Sequence, residues 1–175
     1  MNCSPDNNAY IDGANLHYAL RSMGWKLDYT RFRVWLRERF AVKEAYIFLG
    51  YVAQEKILYE YLERCGFILI FKEVSHDRLG NLKGNCDSDL VLRVAQDAYE
   101  ERFDRAIIVS SDGDFASLIV FLQRRKRLEI LVSPSPEDRC STLLKRTQAP
   151  ITFLDRHRDL FELRNKKAPD EDGTS

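Results

Sequence analysis

The chain has 175 residues, 45% apolar and 31% charged, which suits one globular domain and excludes a disordered or fibrous protein. Lys+Arg and Asp+Glu both number 27, so only the local distribution of charge can point to a polyanionic partner. No apolar run approaches the ~20 residues of a membrane span, no signal peptide is visible, and Cys3, Cys65, Cys86 and Cys140 form no Cys-x-x-Cys pair; a reducing cytoplasm is the expected setting.

Residues 1–8 are polar and hold Pro5, predicting a loose arm. Ala9-Tyr10-Ile11 predicts a short strand that stops at Asp12-Gly13, and Asn15 to Met23 a short helix. Phe32, Trp35, Leu36 and Phe40 share one face of a helix over 30–40, with Asp28 or Thr30 as its cap. Ala45 to Leu49 is a second strand. A helix over 54–65 carries Ile57, Leu58, Tyr61, Leu62 and Cys65 on one stripe and ends at Gly66. Phe67 to Phe71 is a third strand, and residues 72–85, with Gly80-Asn81 and Gly84-Asn85, read as a loop or short flap.

Cys86 to Glu101 predicts a helix with Leu90, Val91, Val94, Ala95 and Ala98 inward. Ala106 to Val109 is uninterrupted and mostly β-branched, as in a strand buried on both faces. It runs into Ser110-Ser111-Asp112-Gly113-Asp114, then a helix with Phe115, Leu118, Ile119 and Leu122 inward that ends in Arg124-Arg125-Lys126-Arg127. Glu129 to Val132 is another strand. Ser135-Pro136-Glu137-Asp138 has the spacing of a helix start. Ile151 to Leu154 predicts a last edge strand and 155–163 a last helix. Residues 165–175 read as a disordered acidic tail, leaving 9–164 as the folded domain. Strands alternating with helices predict an α/β fold: a mostly parallel sheet between two helical layers. Strand order is not legible.

In a parallel sheet every strand-to-helix turn lies on one edge, where ligands bind. That edge receives Asp12, Asp112 and Asp114, and the start of the helix at Asp87 and Asp89. Carboxylates gathered there would repel unless a cation sat between them. Mg²⁺ or Mn²⁺, which take oxygen ligands, fit such a site as one ion or as two about 3.5–4 Å apart. No His or Cys stands at zinc-ligand spacing. Each residue also has a structural alternative: Asp12 as a turn residue, Asp87 and Asp114 as helix caps, Asp89 as an ion pair with Arg93.

Tyr10-Ile11-Asp12-Gly13-Ala14-Asn15-Leu16, Lys83-Gly84-Asn85-Cys86-Asp87-Ser88-Asp89-Leu90 and Val109-Ser110-Ser111-Asp112-Gly113-Asp114-Phe115 occur in that order. In this the chain resembles NYN domains of the bacterial stand-alone type, a branch of the PIN-like nucleases, over about residues 9 to 163. The resemblance implies a Rossmann-like, three-layer fold and a metal-dependent endoribonuclease. It places the family's aspartates on Asp12, Asp87, Asp112 and Asp114, as metal ligands and catalytic residues, and gives Asn15 the task of orienting Asp12 or a metal-bound water. One extra residue between Gly84 and Asp87 leaves Asp87 and Asp89 as alternatives for the ligand.

The expected reaction is hydrolysis of RNA, single-stranded or with unpaired segments, by a Mg²⁺- or Mn²⁺-bound water. No His lies near Ser110 and Ser111 to activate them as nucleophiles; hydrogen bonds to carboxylate or phosphate suit them better. Lys83 and Arg93 are the expected phosphate contacts, ahead of Arg124–Arg127, whose charges also suit a helix C-terminus. Tyr18, Trp25 and Tyr51 are candidates for base stacking. The alternative is an inactive module that binds RNA or regulates. An aspartyl-phosphate phosphatase is disfavoured, because Asp12 is followed by Gly13 and Ala14 rather than a second Asp. A homodimer is left open, since a groove on one small domain is short.

Overall fold

β1 (Asn7–Asp12) lies at the middle of the sheet and is buried along its whole length. It starts two residues before the predicted strand, so Asn7 and Asn8 belong to the sheet and not to a loose arm. The computed structural model describes residues 5–72, 75–76, 82–83 and 86–163, the two short pairs as backbone only. The expected tail over 165–175 lies outside the described residues.

Around β1 stand α1 (Gly13–Met23), α2 (Tyr29–Phe40), β2 (Val42–Gly50), α3 (Lys56–Arg64) and β3 (Ile68–Lys72). A short antiparallel pair, β4 (Ser75–His76) and β5 (Leu82–Lys83), falls in the predicted flap. The second half contains α4 (Asp87–Tyr99), β6 (Ala106–Val109), α5 (Ala116–Arg124), β7 (Leu128–Ser133), α6 (Thr142–Arg146), β8 (Ile151–Phe153) and α7 (Arg158–Phe161). The main sheet has the order β3-β2-β1-β6-β7-β8, and every pair in it is parallel. The chain winds outward from β1 to β3, then returns to β6 on the other side of β1. The strand order therefore reverses between β1 and β6, and that crevice is where a doubly wound sheet binds its ligand.

Alternation along β1 divides the core. Ala9 and Ile11 face a layer with Leu16, Leu20, Phe32, Leu36 and Phe161 from α1, α2 and α7. Tyr10 faces Leu90, Val94, Leu118, Ile119 and Leu144 from α4, α5 and α6. Burying each such large apolar side chain contributes about 1.5–3 kcal/mol. Asp28 caps α2 through Arg31 N at 3.0 Å, as expected, and α1 ends on Gly24 at φ 72°.

Three expectations fail on tertiary grounds. Ile57 is 80% exposed, because α3 covers the edge of the sheet and buries Tyr59 in its place, beside Leu62 as expected. The Ser135–Asp138 stretch makes only one turn, closed by Arg139 N and Cys140 N on Pro136 O, and the helix starts at Thr142 with Ser141 as its cap. Trp25 is 5% exposed under Arg158, so it is a core residue and not a stacking platform, whereas Tyr18 and Tyr51 are exposed.

Gly13 fixes how closely α1 approaches the sheet. A Cβ there would stand 2.7 Å from Phe48 O and 2.4 Å from Leu49 Cδ2. The contact with the carbonyl of β2 cannot be relieved by turning a side chain. Gly13→Ala is expected to lower stability by about 1–3 kcal/mol, the range for overpacking a core, measured as a shift of the urea midpoint with an unchanged slope.

Candidate metal centre

The C-terminal ends of β1 and β6 are neighbours, since Ile11 pairs with Val109. The next residue of β1 is Asp12, 7% exposed. Its Oδ1 accepts from Asn15 N at 3.0 Å, which makes it the N-cap of α1, and its Oδ2 accepts from Ser110 Oγ at 3.1 Å. Ser110 Oγ also accepts from Asp112 N at 3.1 Å. One buried hydroxyl thus ties the ends of the two strands together.

Asp112 follows two residues beyond Ser110. Its Oδ1 accepts from Asp114 N at 3.0 Å, so Asp112, not Asp114, caps the helical turn over Gly113–Phe115. The duties of the pair are the reverse of a cap at Asp114. Asp114 stands inside that first turn and keeps its carboxylate for the cluster. Gly113 permits this tight path: a Cβ would meet Ser141 Oγ at 2.4 Å.

Asp87 enters from the first turn of α4, whose cap residue, Cys86, gives no side-chain hydrogen bond. Carboxylate oxygens of Asp87, Asp112 and Asp114 all lie within 4.8 Å of one another. Burial pushes the Asp12 carboxyl up to about 6, and the negative charges of Asp87 and Asp112 push the same way; hydrogen bonds from Asn15 and Ser110 oppose this only in part. The four aspartates form one electrostatic unit.

Asp89 points elsewhere, to Lys72 at the end of β3, at 3.2 Å. Two positions along a helix rotate a side chain by about 200° around the axis, so Asp87 and Asp89 cannot share a face. Asn15 does not place its side chain on Asp12: its Oδ1 accepts from Ser111 N at 2.9 Å and Ser111 Oγ at 2.8 Å. It clamps the β6 turn to α1. Ser135, which follows β7, completes the link with an Oγ 2.9 Å from that of Ser111.

Arg93 is held by partners on its own helix and on the sheet. Its Nε donates to Asp97 Oδ2 at 2.8 Å, and its guanidinium lies over the Tyr46 ring at 4.5 Å. Tyr10 donates to the same Asp97 oxygen at 2.8 Å. Asp97, only 2% exposed, was invisible in the sequence; the one available signal was a polar residue on the inward stripe of α4, at i+4 from Arg93. The Lys83 side chain lies outside the described residues.

The donor set consists of carboxylates alone, which suits a hard divalent cation rather than zinc. The parallel sheet, of Rossmann-like order, thus carries aspartates from three chain segments over its switch point. The NYN domain model matches residues 8–155, and the chain belongs to that family. Among solved structures, a protein of unknown function from Vibrio parahaemolyticus, VPA0982, is similar at 23% identity with a TM-score of 0.75, over 93% of this chain and 99% of that one. That likeness shows the fold. None of the curated proteins matches the chain. Among the described residues no helix is long and apolar enough to cross a membrane.

Proposed function

We propose that the protein is an endoribonuclease that hydrolyses phosphodiester bonds of single-stranded or partly unpaired RNA with Mg²⁺ or Mn²⁺. The observation that carries this reading is the carboxylate cluster of Asp87, Asp112 and Asp114 beside buried Asp12, in a chain of the NYN family. Asp12, Asp87, Asp112 and Asp114 would hold the ion. A divalent ion bound there supplies a water of lowered pKa and neutralises charge that builds on the phosphate.

The chain's own residues do the rest. Ser110 and Asn15 N hold the Asp12 carboxylate in one orientation. Asn15, through Ser111, fixes the turn that carries Asp112. Ser110 is fully buried and Ser111 only 7% exposed, which keeps both hydroxyls from attacking a phosphate and favours direct hydrolysis over a covalent seryl intermediate. Asp89 and Arg93 support the site from outside it, by ion pairs with Lys72 and Asp97.

The test is end-labelled single-stranded RNA incubated with purified protein in Mn²⁺, in Mg²⁺ and in EDTA. Internal cleavage with metal and none in EDTA is expected. Cleavage that survives unchanged in EDTA or in Asp12→Asn would overturn the metal-dependent reading, and no cleavage under any condition would leave a binding module as the better account.

A further inference from the structure

Three arginines surround one groove behind the acidic cluster. The groove has a volume of about 670 Å³ and lies between α5 and α6. Its floor is apolar, with Val120 and Phe121, and its rim carries Arg124, Arg125 and Arg146 beside exposed Leu143. Among the described residues none of the three is ion-paired, nor are Arg21, Arg33, Arg39, Arg64 and Arg139, which do not line this groove, whereas Arg93, Arg102, Arg105, Arg127, Arg156 and Arg158 all are. The Arg124–Arg127 run is therefore divided. Arg127 is tied to Phe103 O and Glu101, and Arg125 lies over the Phe121 ring at 5.1 Å, facing the groove.

One end of the groove lies two residues along the chain from Asp114. Ala116, at one end, follows the turn that holds Asp114, and Leu143 would be touched by a Cβ on Gly113. Both helices begin at the acidic edge and run away from it; their far ends are joined by Gln123 Nε2 donating to Thr147 O at 3.1 Å. From Ala116 to Arg124 the helix rise spans about 12 Å, room for more than one nucleotide of a strand. A positive rim over an apolar, aromatic floor is the composition that tracks a single strand: guanidinium groups take the phosphates and the floor takes base and sugar faces.

We infer that the α5–α6 groove, through Arg124, Arg125 and Arg146, holds the backbone of the RNA strand that runs on from the bond placed at Asp112. This rests on the nuclease reading above and adds the path of the substrate. It also reverses the preference for Arg93 over the Arg124–Arg127 run, because Arg93 is spent on Asp97.

The test is fluorescence anisotropy with a labelled uridine 12-mer in EDTA, where cleavage plays no part, over a range of salt. The variants are Arg124→Gln/Arg146→Gln and, as a control of equal charge change on the other helical layer, Arg37→Gln/Arg64→Gln. A single strand loses about 0.7 of the log–log salt slope for each phosphate contact removed. The groove variant is expected to lower the slope by about 1.4 and to weaken binding at low salt several-fold, with the control at wild-type values. Melting temperatures within error of wild type confirm that both variants fold. Equal slopes and affinities in wild type and groove variant, an equal loss in the control, or no binding by any form would overturn the inference. Cleavage is scored separately. A wild type that binds through the groove and never cleaves sinks the nuclease reading alone. A groove variant that binds normally sinks the groove alone.

Discussion

Asp112→Asn is expected to lower metal-dependent cleavage of single-stranded RNA by more than about a hundredfold, above the 10–100-fold typical of residues that only support a metal ligand. Asparagine keeps the capping bond to Asp114 N and the local fold, so the loss falls on charge at the cluster. Asp89→Asn is the contrast. Its carboxylate is paired with Lys72, on the outer side of α4, and its replacement is expected to change cleavage by no more than a few-fold. Rates under matched Mn²⁺ concentrations decide the matter. Equal losses in the two variants would mean that Asp89 belongs to the site as much as Asp112 does; no loss in Asp112→Asn would remove the turn after β6 from the reaction.

Asp12→Asn is expected to stabilise the metal-free protein while abolishing cleavage. The folded-state carboxyl titrates at about 6 against an ordinary 3.8. The native state thus holds this proton more tightly than the unfolded chain does. Stability contributed by the protonated form is fully present below pH 4, drains as pH rises from 4 to 6, and is absent above 6. A shift of about two units corresponds to roughly 3 kcal/mol at most. The asparagine side chain carries no charge; its oxygen can accept from Asn15 N and its amide can meet Ser110 Oγ, so both contacts of Asp12 have a counterpart. In EDTA at about pH 7.5 the melting temperature of the variant should exceed that of wild type by up to roughly 6–12 °C, and the difference should vanish near pH 4. Mn²⁺ should raise the melting temperature of wild type and not of the variant, since only a form that binds the ion gains from it. A difference between the two proteins that is the same at both pH values would show that burial of charge is not the cause.

Much of this was written locally along the chain. The limits of β6 are those its four apolar residues mark, because a strand buried on both faces needs no polar alternation. Asp28 is legible as a cap from its place before an amphipathic run. The four aspartates were legible because each follows a strand or starts a helix, and in a parallel sheet all such positions lie at one edge. What failed depended on neighbours distant in sequence. Ile57 fits its helical stripe, yet α3 sits over an edge strand with less sheet to cover. Arg93 stands one turn from both Asp89 and Asp97; burial of Asp97 beside Tyr10 decides for the latter. The Ser135 capping pattern starts no helix, because the Ser135 hydroxyl is held by Ser111 beyond the end of the adjacent strand β6.

The succession of strands and helices and the supply of carboxylates at one edge follow from short-range pattern, because periodicity, capping and turn chemistry act over a few residues. Which of those carboxylates meet depends on long-range packing. The crossover that brings β6 beside β1 sets Asp12 next to Ser110 and Asp112, and the facing of α4 turns Asp87 toward them and Asp89 toward Lys72. Adjacency of strands follows from how two hydrophobic faces are covered across the whole domain, and no stretch of the chain carries that information alone.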